Sequence, residues 1–198
     1  MNKSISFNTY KYFDITIFTL LIIFFEWFSM KGLAIFNGMY YLSLFLVLSL
    51  ITMLRWKWFA IIPIFAAGLT RAIVACGGID VNYILMYAFG NLFSLIAILW
   101  VYRFKENITK NHYLLLFVLT GFFGYCIGQT IFGSIIFNKN FIDLLISIAS
   151  VESLNAIISF IVILIASRQK GLLEDQKEYV LKTQQEEKNK TCEVEQWE

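Results

Sequence analysis

The chain is poor in the residues that carry most covalent and metal chemistry. It has one histidine, His112, in a predicted loop. Its three cysteines, Cys76, Cys126 and Cys192, stand at spacings that make no CxxC or Cys/His ligand set. They read as two core residues and one tail thiol. No GxxxxGK[ST] loop for phosphate, no HExxH, no paired Asp/His set and no serine–lysine or serine–histidine dyad falls in the apolar stretches. An enzyme built on this chain would have to work with Glu26, Glu152, Arg71 and tyrosines. Charge is scarce as well: 15% of the residues are charged, against 59% hydrophobic and 18% aromatic. Soluble domains carry about 25% charged residues, so this balance excludes one. No cofactor, metal or nucleic-acid partner is expected.

What is present is a succession of apolar runs of membrane-crossing length. A polar start with Lys3 and Lys11 leads into Phe13–Met30. Glu26 and Trp27 stand where a cleavable signal peptide has small residues, so this run reads as a retained first span. The second, Gly38–Leu54, is closed by Arg55-Trp56-Lys57-Trp58, a basic and aromatic boundary that reads as a plain headgroup-level anchor. The third is Phe59–Cys76, with Pro63 near its start, and Gly77–Asp80 turns the chain into the fourth, Val81–Val101. Arg103, Lys105 and Lys110 fill the next loop. The fifth span, Tyr113–Ile136, is rich in glycine, and its Gly124–Gly128 pair matches the GxxxG spacing that lets helix backbones approach. After a turn at Asn138–Asn140 comes the sixth, Phe141–Ala166.

The expected fold is therefore all-α: a polytopic bundle of six transmembrane helices over residues 1–167, with a charged tail over 168–198. In the tail, Leu172, Leu173, Tyr179 and Val180 fall on one helical face. That face suits an amphipathic helix near the inner surface or against a partner; a helix fraying in solvent fits equally well. Beyond Thr183 the composition favours disorder.

Lys/Arg counts set the expected orientation. Lys3, Lys11, Arg55, Lys57, Arg103, Lys105, Lys110, Arg168 and Lys170 fall on one side, and only Lys31 and Lys139 on the other. The positive-inside rule then puts both termini in the cytoplasm of a bacterial cell, the protein being multi-pass in its cytoplasmic membrane.

Depth follows from orientation. Arg71 lies in the outer part of the third span, where a guanidinium costs roughly 2.5–3.5 kcal/mol on insertion scales and needs a partner or a water-filled cavity. Ala67, Gly68 and Ala75 share its face and let neighbours come close. A structural ion pair with Glu26 or Glu152, an arginine snorkelling outward, and a ligand-facing charge all remain open. Glu26 lies near the outer end of the first span. Tyr83, Tyr87 and Asn91 descend one face of the fourth, Gln129 sits in the outer half of the fifth, and Glu152 and Asn155 share a face of the sixth near the midplane. The costly groups thus avoid the inner half of the bundle. That bias points to an outward-open binding pocket made by Glu26, Arg71, Tyr83, Tyr87, Asn91, Gln129, Glu152 and Asn155, with the Lys31–Asn37 loop near its mouth. Arg71 suggests an anionic or carbonyl-bearing ligand, and the two tyrosines a flat ring.

Six spans, cytoplasmic termini and an outward polar pocket resemble the substrate-binding S component of an energy-coupling factor transporter. The stretch MLRWKWFAIIPIFAAGLTRAIVACGG from Met53, followed by NYILMYAFGNLFSLIAIL from Asn82, is similar to the basic-aromatic boundary, small-residue third span and tyrosine-rich fourth span of such proteins. The tail GLLEDQKEYVLKTQQEE resembles the end of such sequences. The first span, in contrast, has no alanine where S components often carry an AxxxA pattern for docking. The resemblance implies a capture protein for a vitamin or other micronutrient, without catalysis of its own. Its partners would be the small-molecule substrate, the lipid bilayer, a transmembrane coupling subunit and two ATPase subunits. Two other classes fit the residues: a membrane enzyme acting on a lipid or peptide through Glu152 or Glu26, and a non-transporting interaction or immunity protein that works through its tail.

Overall fold

In the computed structural model, residues 7–32, 42–104 and 110–169 are described, together with Leu173 and Gln176. They form α1 (Phe7–Gly32), α2 (Phe45–Trp56), α3 (Ile61–Cys76), α4 (Val81–Arg103), α5 (Asn111–Phe137) and α6 (Phe141–Ala166), with no strand among the described residues. Five stretches are long and apolar enough to cross a membrane: α1, the run Phe45–Cys76 that contains α2 and α3, and α4, α5 and α6. Large apolar side chains point out of the bundle all along them, among them Phe13, Leu20 and Phe24 on α1 and Ile146, Ile157 and Ile165 on α6. Apolar surface on that scale marks a membrane-embedded protein.

The run Phe45–Cys76 is not one straight helix. Lys57 takes φ 52° and ψ −119°, a conformation that L side chains rarely adopt, and a single 3₁₀ turn (Lys57–Ala60) leads into α3. The contacts show what this turn does. At the end of α2, Arg55 bonds Asp14, and just before α3 the Phe59 ring lies under the Lys11 ammonium. At the other end, Ser43 before α2 bonds Asn155, while Arg71 late in α3 pairs with Glu152. The two helices therefore run antiparallel, both flanking α1.

α2 is the centre of the bundle. It touches all five other helices, and every residue of it except Leu48 is buried. Leu46, Leu50 and Met53 pack there with Ile22, Ile98 and Phe117. With 12 residues it is about 18 Å long at 1.5 Å per residue, short of a full crossing on its own.

The turns at the far ends of α3 and α5 carry their own chemistry. Gly77 ends α3 at φ 68°, and the Asp80 carboxylate caps α4 by accepting from the Asn82 backbone N–H at 2.8 Å. Asn138 ends α5 at φ 51°, and Asn140 caps α6 in the same way through Ile142. Glycine also sets the closest helix crossings. A Cβ on Gly68 would strike the Tyr87–Ala88 backbone, and one on Gly124 would lie 2.6 Å from the Phe93 carbonyl. Gly128 sits against the Gly90 carbonyl, so the GxxxG pair is the surface on which α5 meets α4.

Several expectations need correction. The first helix begins at Phe7, well before Phe13, because its polar first turns remain helical where they pack on Trp56. The second span was expected over Gly38–Leu54; the helix begins at Phe45, and residues 38–41 lie outside those described. Trp56 is no simple interface anchor: it is buried, and its indole N–H donates to Asp14 at 2.5 Å. Trp58 does face outward. His112 lies in the first turn of α5, its ring against Tyr113, rather than in a loop. Cys76 is half-exposed at the end of α3, and only Cys126 is a core thiol among the described residues. Most of the 168–198 tail, and the Lys31–Asn37 loop from residue 33 on, lie outside the described residues. Of the tail, Leu173 and Gln176 are buried, and Gln176 accepts from the Tyr10 hydroxyl at 3.2 Å.

Candidate functional site

All six helices send a side chain to, or begin at, one buried polar network. Arg71 on α3 reaches Glu152 on α6, with Nη2 at 2.5 Å from Oε1. The other carboxylate oxygen of Glu152 accepts from the Tyr125 hydroxyl on α5 at 3.3 Å and from the Asn155 amide at 2.5 Å. Asn155 in turn accepts from the Ser43 backbone N–H at 2.9 Å, at the start of α2. The Ser43 hydroxyl donates to Glu26 on α1 and accepts from the Phe45 N–H, so one serine holds the first amide of α2 and ties it to α1. Tyr87 on α4 closes the circuit: the Arg71 guanidinium stands 4.8 Å from the centre of its ring. Glu152 and Asn155 are 2% and 1% exposed, and Arg71 is 9% exposed. At that burial the charges hold only because they are paired and hydrogen-bonded.

The winding of α4 puts Tyr87 there. Residues Leu85–Phe89 form a π turn and Phe93–Ala97 a 3₁₀ stretch. A π turn inserts an extra residue into the helical register and often marks a functional position. Here it aims Tyr87 at Arg71, with Tyr83 stacked behind it at 6.2 Å. It also leaves Asn91 buried, accepting from the Gln129 amide at 2.6 Å.

Beside the Arg71–Glu152 pair lies a cavity of about 160 Å³, lined also by Met86, Tyr87 and Gln129. It shares Met86, Tyr87, Ser147 and Ile148 with a second cavity of about 280 Å³ that extends past Tyr83 to Phe137 and Lys139. Together they form a groove from the buried pair to the end of the bundle that carries the 77–80 and 138–140 turns. Gln129 Oε1 is buried against this groove and has no hydrogen-bond partner among the described residues.

The eight residues expected at a pocket thus separate into groups. Arg71, Tyr87, Gln129 and Glu152 line the inner cavity, and Tyr83 the outer one. Asn91 stands behind Gln129 and holds it. Glu26 and Asn155 do not line the groove; both are used in fixing Ser43. Sequence reasoning did not single out Ser43 or Ser147. Ser43 carries a detectable signal, a serine two residues before a long apolar helix, whereas Ser147 has none. Among the described residues, no three His, Cys, Asp or Glu side chains gather as a metal site.

The chain matches no protein-family model, no curated protein and no solved structure.

Proposed function

We propose that the protein captures a small polar molecule from the outer side of a cell membrane and passes it to an uptake machinery. The observation that carries this reading is the groove that runs from Lys139 down to the buried Arg71–Glu152 pair. The helices cross six times, both termini are cytoplasmic, and the groove opens outward. Two points support that arrangement: α2 and α3 run antiparallel, and the cations Lys11, Arg55 and Lys57 gather at the end opposite the groove.

The ligand class follows from the floor of the groove. Arg71 is already neutralised by Glu152, so a simple anion would meet a carboxylate as well as a guanidinium. A zwitterion, or a neutral molecule with both donors and acceptors, matches both charges and the open acceptor of Gln129. Tyr83 and Tyr87 offer a wall for a flat ring. The chain performs no covalent step; transport energy comes from a coupling subunit and ATPases, as its resemblance to S components implies.

The test has two arms. Native mass spectrometry of the purified full chain, followed by a metabolite screen with thermal shift in detergent, should find a bound small molecule whose binding Arg71→Lys and Gln129→Leu weaken. Affinity purification from the native host should recover an ATPase module. Absence of any ligand removes the capture function. A ligand without an ATPase leaves capture standing and removes the coupling.

A further inference from the structure

The groove beside the Arg71–Glu152 pair has two ends of opposite character. At its floor, Gln129 is fully buried and its amide N–H is held by Asn91, which leaves Oε1 as an acceptor without a partner. The Glu152 carboxylate lines the same floor. At the mouth stands Lys139, an exposed ammonium with no ion pair, ring contact or side-chain hydrogen bond among the described residues. Asp143, one turn along α6, does not claim it. That carboxylate is exposed and unpaired as well, and it lines a third cavity of about 310 Å³ beside the mouth rather than the groove itself. Between the two ends the walls are flat or apolar. Tyr83 stacks on Tyr87 at 6.2 Å and meets the edge of Phe137 at 5.5 Å, with Met86 and Ile148 beside them.

We infer that the ligand of this groove is an elongated aromatic acid held in one polarity, with N–H donors at the floor, a flat ring between the tyrosines and a carboxylate at Lys139. The inference rests on the reading of the groove as a capture site and names its substrate class. The floor sets the polarity. A buried acceptor left without a donor is costly, so Gln129 Oε1 selects an N–H or an amine. A carboxylate at that depth would lie against Glu152, and like charges disfavour each other. The anionic end therefore belongs at the mouth, where Lys139 offers up to three donors and water can solvate what they leave. The middle suits a ring, since stacked and edge-on aromatic neighbours are the contacts a ring prefers. Length follows from α5. Gln129 and Phe137 stand about 12 Å apart along its axis at 1.5 Å per residue, room for one ring and a short chain but not for two fused ring systems end to end.

The test pairs changes in a probe with changes in the chain. The probe is 4-(4-aminophenyl)butyrate, which carries an amine, a ring and a carboxylate in that order; its comparators are 4-phenylbutyrate, without the amine, and the methyl ester, without the charge. Each is titrated calorimetrically into the full chain in detergent. Losing the amine should weaken binding about tenfold, the usual worth of a buried hydrogen bond. Losing the charge should weaken it about threefold, since Lys139 is exposed. Gln129→Leu should bring the probe down to the level of 4-phenylbutyrate and leave 4-phenylbutyrate itself unchanged. Lys139→Gln should likewise bring the probe down to its ester and leave the ester unchanged. Asp143→Asn should bind the probe no more weakly than the parent. The three probes on the parent chain decide the matter even where Gln129→Leu does not fold. Equal binding of all three, or of none, overturns the ligand class. So does a parent-like Lys139→Gln, or an Asp143→Asn that loses as much as Lys139→Gln, since the mouth would then read both charges. A native ligand of other chemistry, found by mass spectrometry on the purified chain, overturns the class and leaves capture standing.

Discussion

Taking the guanidinium from Arg71 leaves the Glu152 carboxylate buried with Tyr125 and Asn155 but without its cation. Breaking one half of a buried pair typically costs about 3–5 kcal/mol, because the surviving charge is stranded, whereas replacing both halves with apolar residues is often neutral. Arg71→Ala and Glu152→Ala should therefore each melt well below the parent in detergent. Arg71→Met combined with Glu152→Leu should recover most of that loss while abolishing ligand binding. A double variant that melts no higher than the singles would show that the two charges are not coupled. Asn91 acts one step further back, since it holds the Gln129 amide in place. Once a ligand is in hand, Asn91→Ala should weaken its binding by about 1–3 kcal/mol, the usual penalty for leaving a buried polar partner unmatched. His112→Ala, exposed at the start of α5, should leave binding within about 0.5 kcal/mol. Similar losses from both, measured by titration, would mean general destabilisation. At this scale the sequence is informative where an energy is large. An intramembrane arginine must find a partner, and Glu152 is one of the two acids expected. It is silent where the energy is shared: nothing local in the sequence says that Trp56 is buried on Asp14 while Trp58 faces out.

Along single helices, the ends are legible and the winding is not. α6 spans Phe141–Ala166 as the sequence predicts, because Asn140 is a cap and an unbroken apolar run follows it. The interior of α4 departs from the expected i, i+4, i+8 face of Tyr83, Tyr87 and Asn91. The π turn over Leu85–Phe89 sends Tyr87 to Arg71 and Asn91 to Gln129. Its cause is tertiary. The backbone of α4 presses on Gly68 on one side and on Gly124 and Gly128 on the other, and no property of residues 85–89 alone encodes that. The same crossings give a prediction. Gly128→Ala must push a methyl group into the Gly90 carbonyl, and overpacking of that kind costs about 1–3 kcal/mol or more. Gly78→Ala meets nothing within 4 Å and has no positive φ, so it should be near neutral, within about 0.5 kcal/mol. Thermal melts of the two variants side by side check this. If Gly78→Ala is the worse of the two, α4 and α5 do not pack through the Gly124–Gly128 face.

For the molecule as a whole, everything said of capture depends on which end faces out. The bundle has two distinct ends. One carries Lys11, Arg55, Lys57 and Tyr102; the other carries the turns at Gly77–Asp80 and Asn138–Asn140, and the groove. The proposed orientation rests on the Lys/Arg asymmetry of the sequence, which puts the first end in the cytoplasm without reference to the polar groups that make the groove. The prediction uses a background lacking Cys76, Cys126 and Cys192, with single cysteines placed at Ile79, Lys139 and Arg168. Ile79 and Lys139 are exposed in turns at the groove end, and Arg168 is exposed just after α6. A membrane-impermeant maleimide should label Ile79→Cys and Lys139→Cys on intact cells, and Arg168→Cys only after lysis. The opposite pattern would turn the groove to the cytoplasm. The Arg71–Glu152 network would then stand unchanged, but the site could collect nothing from outside. A split result, with Ile79 and Lys139 on different sides, would be more serious. It would place the two groove-end turns across the membrane from each other, which the shared groove between α4 and α6 does not allow.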